Sequence, residues 1–219
     1  MMRALFLIVL GVLTRCDPPA QEADLGADQL PYYDEATFTP KWFESESAVP
    51  EDFHQIPSFS LSNQQGEMVT ERDVQGKIFV VDFFFTSCPG ICPKMTDNML
   101  LIQDTFIDDE DVLLLSHSVT PTLDSVSVLA EYADRKGVIA SKWHLLTGDR
   151  SQIYDLGRHQ YFVEEDLGLN KKAEDFIHTE NFVLIDGNRH IRGIYNGLNK
   201  TAVRQLITDI KTLKKSINS

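Results

Sequence analysis

Apolar residues fall into short continuous runs separated by stretches with helical spacing, a pattern typical of alternating strands and helices. The strongest run covers residues 78–85, where β-branched and aromatic residues follow one another almost without a break. A second run covers residues 112–119, and a shorter one covers residues 143–146. Continuous runs of this kind are typical of strands buried on both faces. The pattern therefore predicts a central sheet with helices packed on both of its faces.

Polar residues and one glycine mark the ends of the predicted helices: Asp124, Gly137, Asp149 and Asn199. A short hairpin is predicted to join residues 59–61 to residues 68–69. Near the C-terminus, residues 182–185 and 191–195 are predicted to pair across the turn Asp186-Gly187-Asn188. Strands and helices alternate before this second hairpin and a helix follows it, which predicts an α/β fold with a mixed sheet.

Residues 1–16 have the features of a signal peptide. A short positive start precedes an apolar run from Ala4 to Leu13. This run has ten residues, whereas a membrane-spanning helix needs about twenty, and its length is that of a signal-peptide h-region. Residues 17–40 are predicted to be a flexible tether, because the sequence from Asp17 to about Leu30 is polar and contains few large apolar residues. Residues 41–219 are predicted to form one domain.

The segment Leu13-Thr14-Arg15-Cys16 resembles the lipobox of bacterial lipoproteins. In that family the cysteine is acylated and becomes the mature N-terminus. Arg15 departs from the pattern, because the residue before the cysteine is normally small. The resemblance implies lipidation of Cys16 and a protein anchored to the cell membrane, facing the periplasm or the cell exterior. An uncleaved signal anchor is the alternative, and it leads to the same compartment.

The acidic charge of the chain limits its partners. The 219 residues carry a net charge of −13, and the pI is about 4.8. An acidic surface repels phosphate backbones, so binding to nucleic acid is disfavoured. The same surface would suit a cationic partner or a metal ion, and charge alone does not decide between them.

The chain has three cysteines, Cys16, Cys88 and Cys92. If Cys16 carries lipid, the remaining pair is too small for the disulfide framework of a secreted fold. The pair is predicted where a buried strand turns into a helix, with both side chains on one helical face and Pro89 in the first turn. A helix N-terminus stabilises thiolates, which bind metals and attack disulfides. Redox or metal chemistry is therefore expected, with two inert core cysteines as the alternative.

The number of sulfur ligands favours copper among the soft metals. Thiolates select Cu(I), zinc or iron–sulfur clusters, but a cluster usually needs four cysteines and a closed zinc site needs four N or S ligands. Two cysteines and one imidazole are enough for Cu(I). Met95 and Met99 could also offer thioether ligands, although their helical spacing predicts core positions.

Four segments resemble the SCO/SenC family of copper-binding assembly proteins: Phe85–Pro93, Ser118–Pro121 with Asp124, Phe176–Thr179, and Leu184–Gly187. In that family a Cys-x-x-x-Cys-Pro motif lies in a thioredoxin-like fold, and a distant histidine joins it at the metal. The resemblance extends from about residue 50 to the C-terminus. Thr120 stands where many relatives carry Asp, and Ile177 stands where a common family pattern has Asp before the histidine.

This resemblance implies a thioredoxin-like fold and a site for Cu(I) or Cu(II) formed by Cys88, Cys92 and His178. A Cys88–Cys92 disulfide is expected in the oxidised form. The implied function is that of a copper metallochaperone, rather than an enzyme, which assists assembly of the dinuclear copper centre of cytochrome c oxidase. It would deliver copper to that centre or maintain the thiols of the centre. The copper-bearing subunit of the oxidase is the implied partner, alongside other copper chaperones or thioredoxin-like reductants.

His178 is preferred among the six histidines because it follows a loop, precedes a strand and matches the family position. Two others lie in predicted strands and are expected to be packed or to face a sheet edge, His117 and His144. The remaining three are expected to be solvated: His54, His159 and His190.

Two other functions remain open at this stage. A thiol–disulfide oxidoreductase without metal would use Cys88 and Cys92 as a catalytic redox pair, with Cys88 as the more exposed attacking thiol. Thioredoxin-type enzymes, however, space their cysteines by two residues. A lipoprotein scaffold with an inert disulfide is the third hypothesis. A three-coordinate copper site needs His178, whereas the other two functions do not.

Overall fold

The structure is a computed structural model and describes residues 29–164, 176–177 and 179–217. The predictions for Cys16, for the signal peptide, for residues 17–28 and for His178 lie outside the described residues.

Two sheets account for the strands. A hairpin pairs β1 (Ser60–Ser62) with β2 (Met68–Thr70), as predicted. The central sheet has the order β5-β4-β3-β6-β7. Its strands are β3 (Ile78–Phe84), β4 (Val112–Ser118), β5 (Trp143–Leu146), β6 (Asn181–Ile185) and β7 (Ile191–Asn196). β3, β4 and β5 are parallel, β6 lies antiparallel beside β3, and β7 lies antiparallel beside β6, which confirms the predicted mixed sheet.

In the part of the chain that the structure describes, five α-helices join or follow these strands: α1 (Glu71–Val74), α2 (Cys92–Thr105), α3 (Val126–Lys136), α4 (Arg150–Asp155) and α5 (Lys200–Ile217). A π-helical turn, Leu156–Gln160, continues α4. Asp149 and Asn199 accept backbone N–H groups at the starts of α4 and α5, as predicted. Among the described residues, none of the helices has both the length and the apolar character that a bilayer span requires.

The predicted burial of β3 and β4 on both faces is confirmed, because all seven residues of each strand are buried. Alternate residues of β3 point to opposite layers. Phe79, Val81 and Phe83 pack with Leu156 and other residues on one face. Ile78, Val80 and Phe84 pack against α2 and α5 on the other. Met95 and Met99 belong to this second layer and are fully buried, as expected of core residues.

The start of the domain differs from the predicted boundary at residue 41. Tyr32 is buried, and its backbone forms a bridge with Lys41. The guanidinium of Arg192 lies 3.7 Å from the centre of the Tyr32 ring and donates hydrogen bonds to the Leu30 and Pro31 carbonyls. These contacts place residues 30–33 within the folded domain rather than in the tether.

Candidate functional site

The two cysteines lie at the carboxyl end of β3, but only one of them belongs to a helix. Residues 85–91 form an irregular loop, and α2 begins at Cys92. Cys88 therefore lies in the loop, and the prediction that both cysteines share one helical face is wrong. Pro89 and Gly90 bend the chain before the helix begins, and the proline in the first helical turn is Pro93 rather than Pro89.

Cys88 is partly exposed, and the surrounding groups stabilise its thiolate. Burial on its own raises the pKa of the Cys88 thiol. Hydrogen bonds from the Cys92 side chain and from the backbone N–H groups of Cys92, Gly90 and Ile91 outweigh that effect and lower the pKa below its ordinary value. The free N–H groups at the start of α2 thus act on Cys88, which precedes the helix.

Cys92 is only 5% exposed. Burial and the hydrogen bond with Cys88 raise the pKa of the Cys92 thiol to about 12, and the N–H of Phe85 opposes this shift only in part. Negative charge on Cys88 and on Asp82 makes a smaller contribution to the same rise in the pKa of Cys92. The pair thus combines an accessible thiolate with a buried thiol. Both cysteines are free thiols in the structure, so the predicted disulfide stays a prediction.

Phe176, one of the two described residues before His178, contacts the cysteine loop, residues 85–91. The Phe176 ring meets the Phe85 ring edge to face, with centroids 5.3 Å apart. Ile177 is buried in the layer that contains Phe83 and lies against Gly157 of the π-helical turn. Phe85 is also the residue whose carbonyl accepts the Cys88 N–H, at 3.3 Å. The chain therefore reaches the cysteine loop immediately before His178.

Asp124 has a different role from the predicted helix start. α3 begins at Val126, and Ser125 supplies the cap by accepting the N–H of Val128. Asp124 is 1% exposed and accepts hydrogen bonds from residues at the ends of β3 and β4. The sequence offered one signal for this role, which was the resemblance of Pro121 and Asp124 to a family motif.

Asp82 is a second buried carboxylate near the cysteines that the sequence did not assign to a function. It accepts the hydroxyl of Ser116, which in turn accepts the indole N–H of Trp143 at 2.8 Å. Burial raises the pKa of Asp82 to about 7, although the Ser116 hydrogen bond lowers it in part. Its charge acts on both Cys92 and Tyr132, so it belongs to the environment of the dithiol.

The remaining histidines are not arranged around the cysteines in the described structure. His117 is buried and stacked on Phe83, as expected, and burial lowers its pKa to about 4. His190 was expected to be solvated, but it is buried between the Tyr32 and Phe53 rings. His159 is exposed, as expected. Within the described ranges, no three His, Cys, Asp or Glu side chains form a group that could hold a metal ion.

The donor chemistry of the dithiol fits a soft metal. A thiolate and an adjacent thiol offer two sulfur ligands, which is the donor type that Cu(I) prefers. A mixed sheet with helices on both faces and a dithiol where a parallel strand leads into a helix define a thioredoxin-like protein.

The SCO1/SenC family model matches residues 48–215, and the chain belongs to this family. A SCO1/SenC family lipoprotein from Bacillus anthracis str. Ames is similar in structure, with a TM-score of 0.64 and 31% identity over 74% of this chain and 95% of that chain. BsSco, a member of the Sco family of cytochrome c oxidase assembly proteins, has a TM-score of 0.63 and 28% identity over 74% and 94% of the two chains. Arabidopsis thaliana ScoI with copper bound has a TM-score of 0.55 and 25% identity over 71% and 97%. These neighbours confirm the predicted family and fold.

Proposed function

We propose that this protein is a copper metallochaperone that binds copper through Cys88, Cys92 and His178 and assists assembly of the dinuclear copper centre of cytochrome c oxidase. The observation that carries the proposal is the convergence of the two cysteines and the Phe176–Ile177 segment at one end of β3. Membership of the SCO1/SenC family and the copper-bound structure of a relative support the choice of metal.

The environment of the sulfurs suits binding followed by transfer. The N–H groups around Cys88 stabilise the thiolate that a metal needs. Cys92 is buried beneath it and would lose its proton when the metal binds. Because Cys88 remains partly exposed, an incoming ligand from a partner can approach the metal from solvent. Transfer can then proceed by ligand exchange without release of the free ion.

His178 is proposed as the third ligand because Phe176 contacts the cysteine loop and Ile177 is anchored in the core. The Phe85–Phe176 ring contact and the buried Ile177 bring the chain to the residue that starts this loop. An imidazole would complete a three-ligand site for Cu(I) with two sulfurs. His178 is far from the two cysteines in the sequence, but the segment just before β6 packs beside the end of β3, where the cysteine loop begins.

The proposed site of action is the outer surface of the cell membrane, facing the periplasm or the cell exterior. The lipobox-like segment ending at Cys16 supports a lipid anchor, as does the similarity to a family lipoprotein. The copper-bearing subunit of the oxidase is the proposed recipient.

Copper titration of the reduced protein against a chromophoric Cu(I) chelator tests the ligand set. The wild type is expected to bind one Cu(I) per chain, and the Cys88→Ser/Cys92→Ser variant none. His178→Ala is expected to bind at least about tenfold more weakly, equivalent to about 1.4 kcal/mol. His159→Ala is the matched control, because His159 is exposed and hydrogen-bonded to Asp155. Equal Cu(I) affinities of the two histidine variants would contradict the assignment of His178 as a ligand. Failure of the wild type to bind Cu(I) would contradict the proposal that the site binds copper.

The unequal thiols also favour a second function, that of a membrane-anchored thiol–disulfide oxidoreductase. An exposed thiolate at Cys88 can attack a disulfide, and Cys92 can then resolve the mixed disulfide. With dithiothreitol as the electron donor that reduces the Cys88–Cys92 disulfide after each cycle, the metal-free protein should catalyse the reduction of insulin. A rate that depends on both cysteines but not on His178 would support this function. Absence of turnover in the metal-free protein would argue for metal transfer alone.

A further inference from the structure

Asp124 accepts hydrogen bonds from three residues on two neighbouring segments. Its carboxylate accepts the N–H of Thr86 at 3.3 Å and the Thr86 hydroxyl at 2.5 Å. It also accepts the hydroxyl of Ser118 at 2.5 Å and that of Thr120 at 2.9 Å. In the described part of the chain, no cationic side chain forms an ion pair with Asp124. Four neutral donors therefore satisfy the oxygens of this buried carboxyl group.

These bonds begin where the pairing of the central strands ends. The parallel pairing of β3 with β4 stops at Phe84 and Ser118, and one further backbone bond joins Val119 to Phe84 at 2.9 Å. Beyond that point, the cysteine loop leaves the sheet. Asp124 extends the connection by two residues, from Phe84 to Thr86, because it holds Thr86 against the end of β4.

Thr86 directly follows Phe85 in the chain, and Phe85 forms hydrogen bonds with both cysteines. The carbonyl of the preceding Phe85 accepts the Cys88 N–H at 3.3 Å. The N–H of Phe85 forms a hydrogen bond with the Cys92 sulfur. A shift of Thr86 would therefore move a hydrogen-bond partner of each cysteine.

We propose that Asp124 is a positioning residue for the dithiol, which acts through Thr86 and holds Cys88 and Cys92 in their unequal environments. The inference deepens the proposed function, since it concerns the same two sulfurs. It does not require copper, because the contacts that carry it are all made between residues of this chain.

A carboxylate suits this position better than the amide of the same shape. An ionised carboxylate only accepts hydrogen bonds, whereas an asparagine amide offers one accepting oxygen and one donating nitrogen. The hydroxyls of Thr86, Ser118 and Thr120 can rotate, but the backbone N–H of Thr86 cannot change from donor to acceptor. Asp124→Asn would therefore leave the loop held by fewer bonds without creating a large cavity.

The test compares Asp124→Asn with Asp186→Asn in reduced, metal-free protein. Asp186 is also a buried carboxylate with several hydrogen bonds, but it lies in the turn between β6 and β7, and it accepts from Asn188, His190 and Arg192. Brief alkylation followed by mass spectrometry gives the ratio of label on Cys88 to label on Cys92. Asp124→Asn is expected to lower this ratio by about fivefold or more, which corresponds to one lost hydrogen bond of about 1 kcal/mol.

Asp186→Asn is expected to keep the wild-type ratio of label on Cys88 to label on Cys92, even if it lowers the melting temperature as much as Asp124→Asn does. A wild-type ratio in Asp124→Asn, or the same fall in both variants, would overturn the proposal. If Asp124→Asn does not fold, Thr86→Val and Thr86→Ser replace it. The valine variant is expected to lower the ratio and the serine variant to restore it, and equal ratios in these two would also overturn the proposal. Failure of copper binding would contradict the proposed function but leave this result intact.

Discussion

At the scale of single residues, Cys88 and Cys92 show what the spacing of a motif leaves undetermined. The sequence predicted the residue types, their place after a buried strand and the greater exposure of Cys88. It did not predict that backbone N–H groups would converge on Cys88 while Cys92 is buried, since that depends on where α2 begins. Two prolines in the motif made either start plausible, and the chain passes through Pro89 and Gly90 before the helix forms.

Asp82 gives a prediction about pH at the same scale. Its folded-state pKa is raised to about 7, whereas the pKa in the unfolded chain is about 4. Below the unfolded value both states are protonated and the residue costs nothing. Between about pH 4 and pH 7, Asp82 is ionised in the unfolded chain but still protonated in the folded chain. The free energy of unfolding therefore falls as pH rises through this range. Asp82→Asn removes this pH dependence. The free energy of unfolding of the variant, relative to wild type, should therefore rise by up to about 4 kcal/mol between about pH 4 and pH 8.

Urea unfolding of the metal-free protein at several pH values measures this effect. Asp134→Asn serves as the control, because Asp134 is an exposed acid on α3. Parallel stability profiles of wild type and Asp82→Asn would contradict the raised pKa, because they would mean that Asp82 ionises at the same pH in the folded and the unfolded chain.

At the scale of elements, continuous apolar runs and helix-capping residues predicted most of the strands and helices. The continuous apolar runs identified β3 and β4 because both faces of these strands are covered. Asp149, Asn199 and Gly137 marked helix ends correctly, because each satisfies backbone groups of its own helix. Asp124 failed as a helix start because its carboxylate bonds to distant segments, and only the fold brings those donors to it.

The contact between Gly157 and Ile177 gives a prediction at this scale. A Cβ on Gly157 would lie 2.9 Å from Cδ1 of Ile177 and 3.0 Å from the Phe83 ring, both of which are buried. Gly157→Ala should lower the free energy of unfolding by about 1–3 kcal/mol through overpacking. Denaturant unfolding measures this loss.

Gly90→Ala is the matched change for this prediction, because the nearest atom to an added Cβ there is the Cys88 sulfur at 3.9 Å. Its effect should stay within about 0.5 kcal/mol. Equal stabilities of the two alanine variants would mean that the π-helical turn can move away from Ile177 without cost.

At the scale of the whole molecule, the position of the domain boundary could not be predicted from composition. Residues 30–33 follow a polar segment, yet their backbone pairs with Lys41 and Ile191 and contacts Arg192. Arg192 lies more than a hundred and fifty residues away in the sequence, so a local pattern carries no sign of this contact. The family resemblance likewise began at about residue 50 and did not cover this segment.

Arg192 should therefore hold the start of the domain in place. Arg192→Met removes the donors to Leu30 and Pro31 and leaves Asp186 without its cationic partner. The variant should lose about 3 kcal/mol of stability and become sensitive to protease between residues 30 and 41. Mass spectrometry of limited digests checks this, and digestion at the wild-type rate in that segment would contradict the predicted anchoring role.

The central claim concerns one copper ion bound by two sulfurs and a remote imidazole, and X-ray absorption at the copper edge tests it most directly. Reduced protein loaded with one equivalent of Cu(I) should show two sulfur scatterers and one imidazole per copper. The imidazole contribution should disappear in His178→Ala and persist in His159→Ala. A wild-type spectrum with sulfur ligands alone, or an imidazole that survives in His178→Ala, would contradict the proposed site.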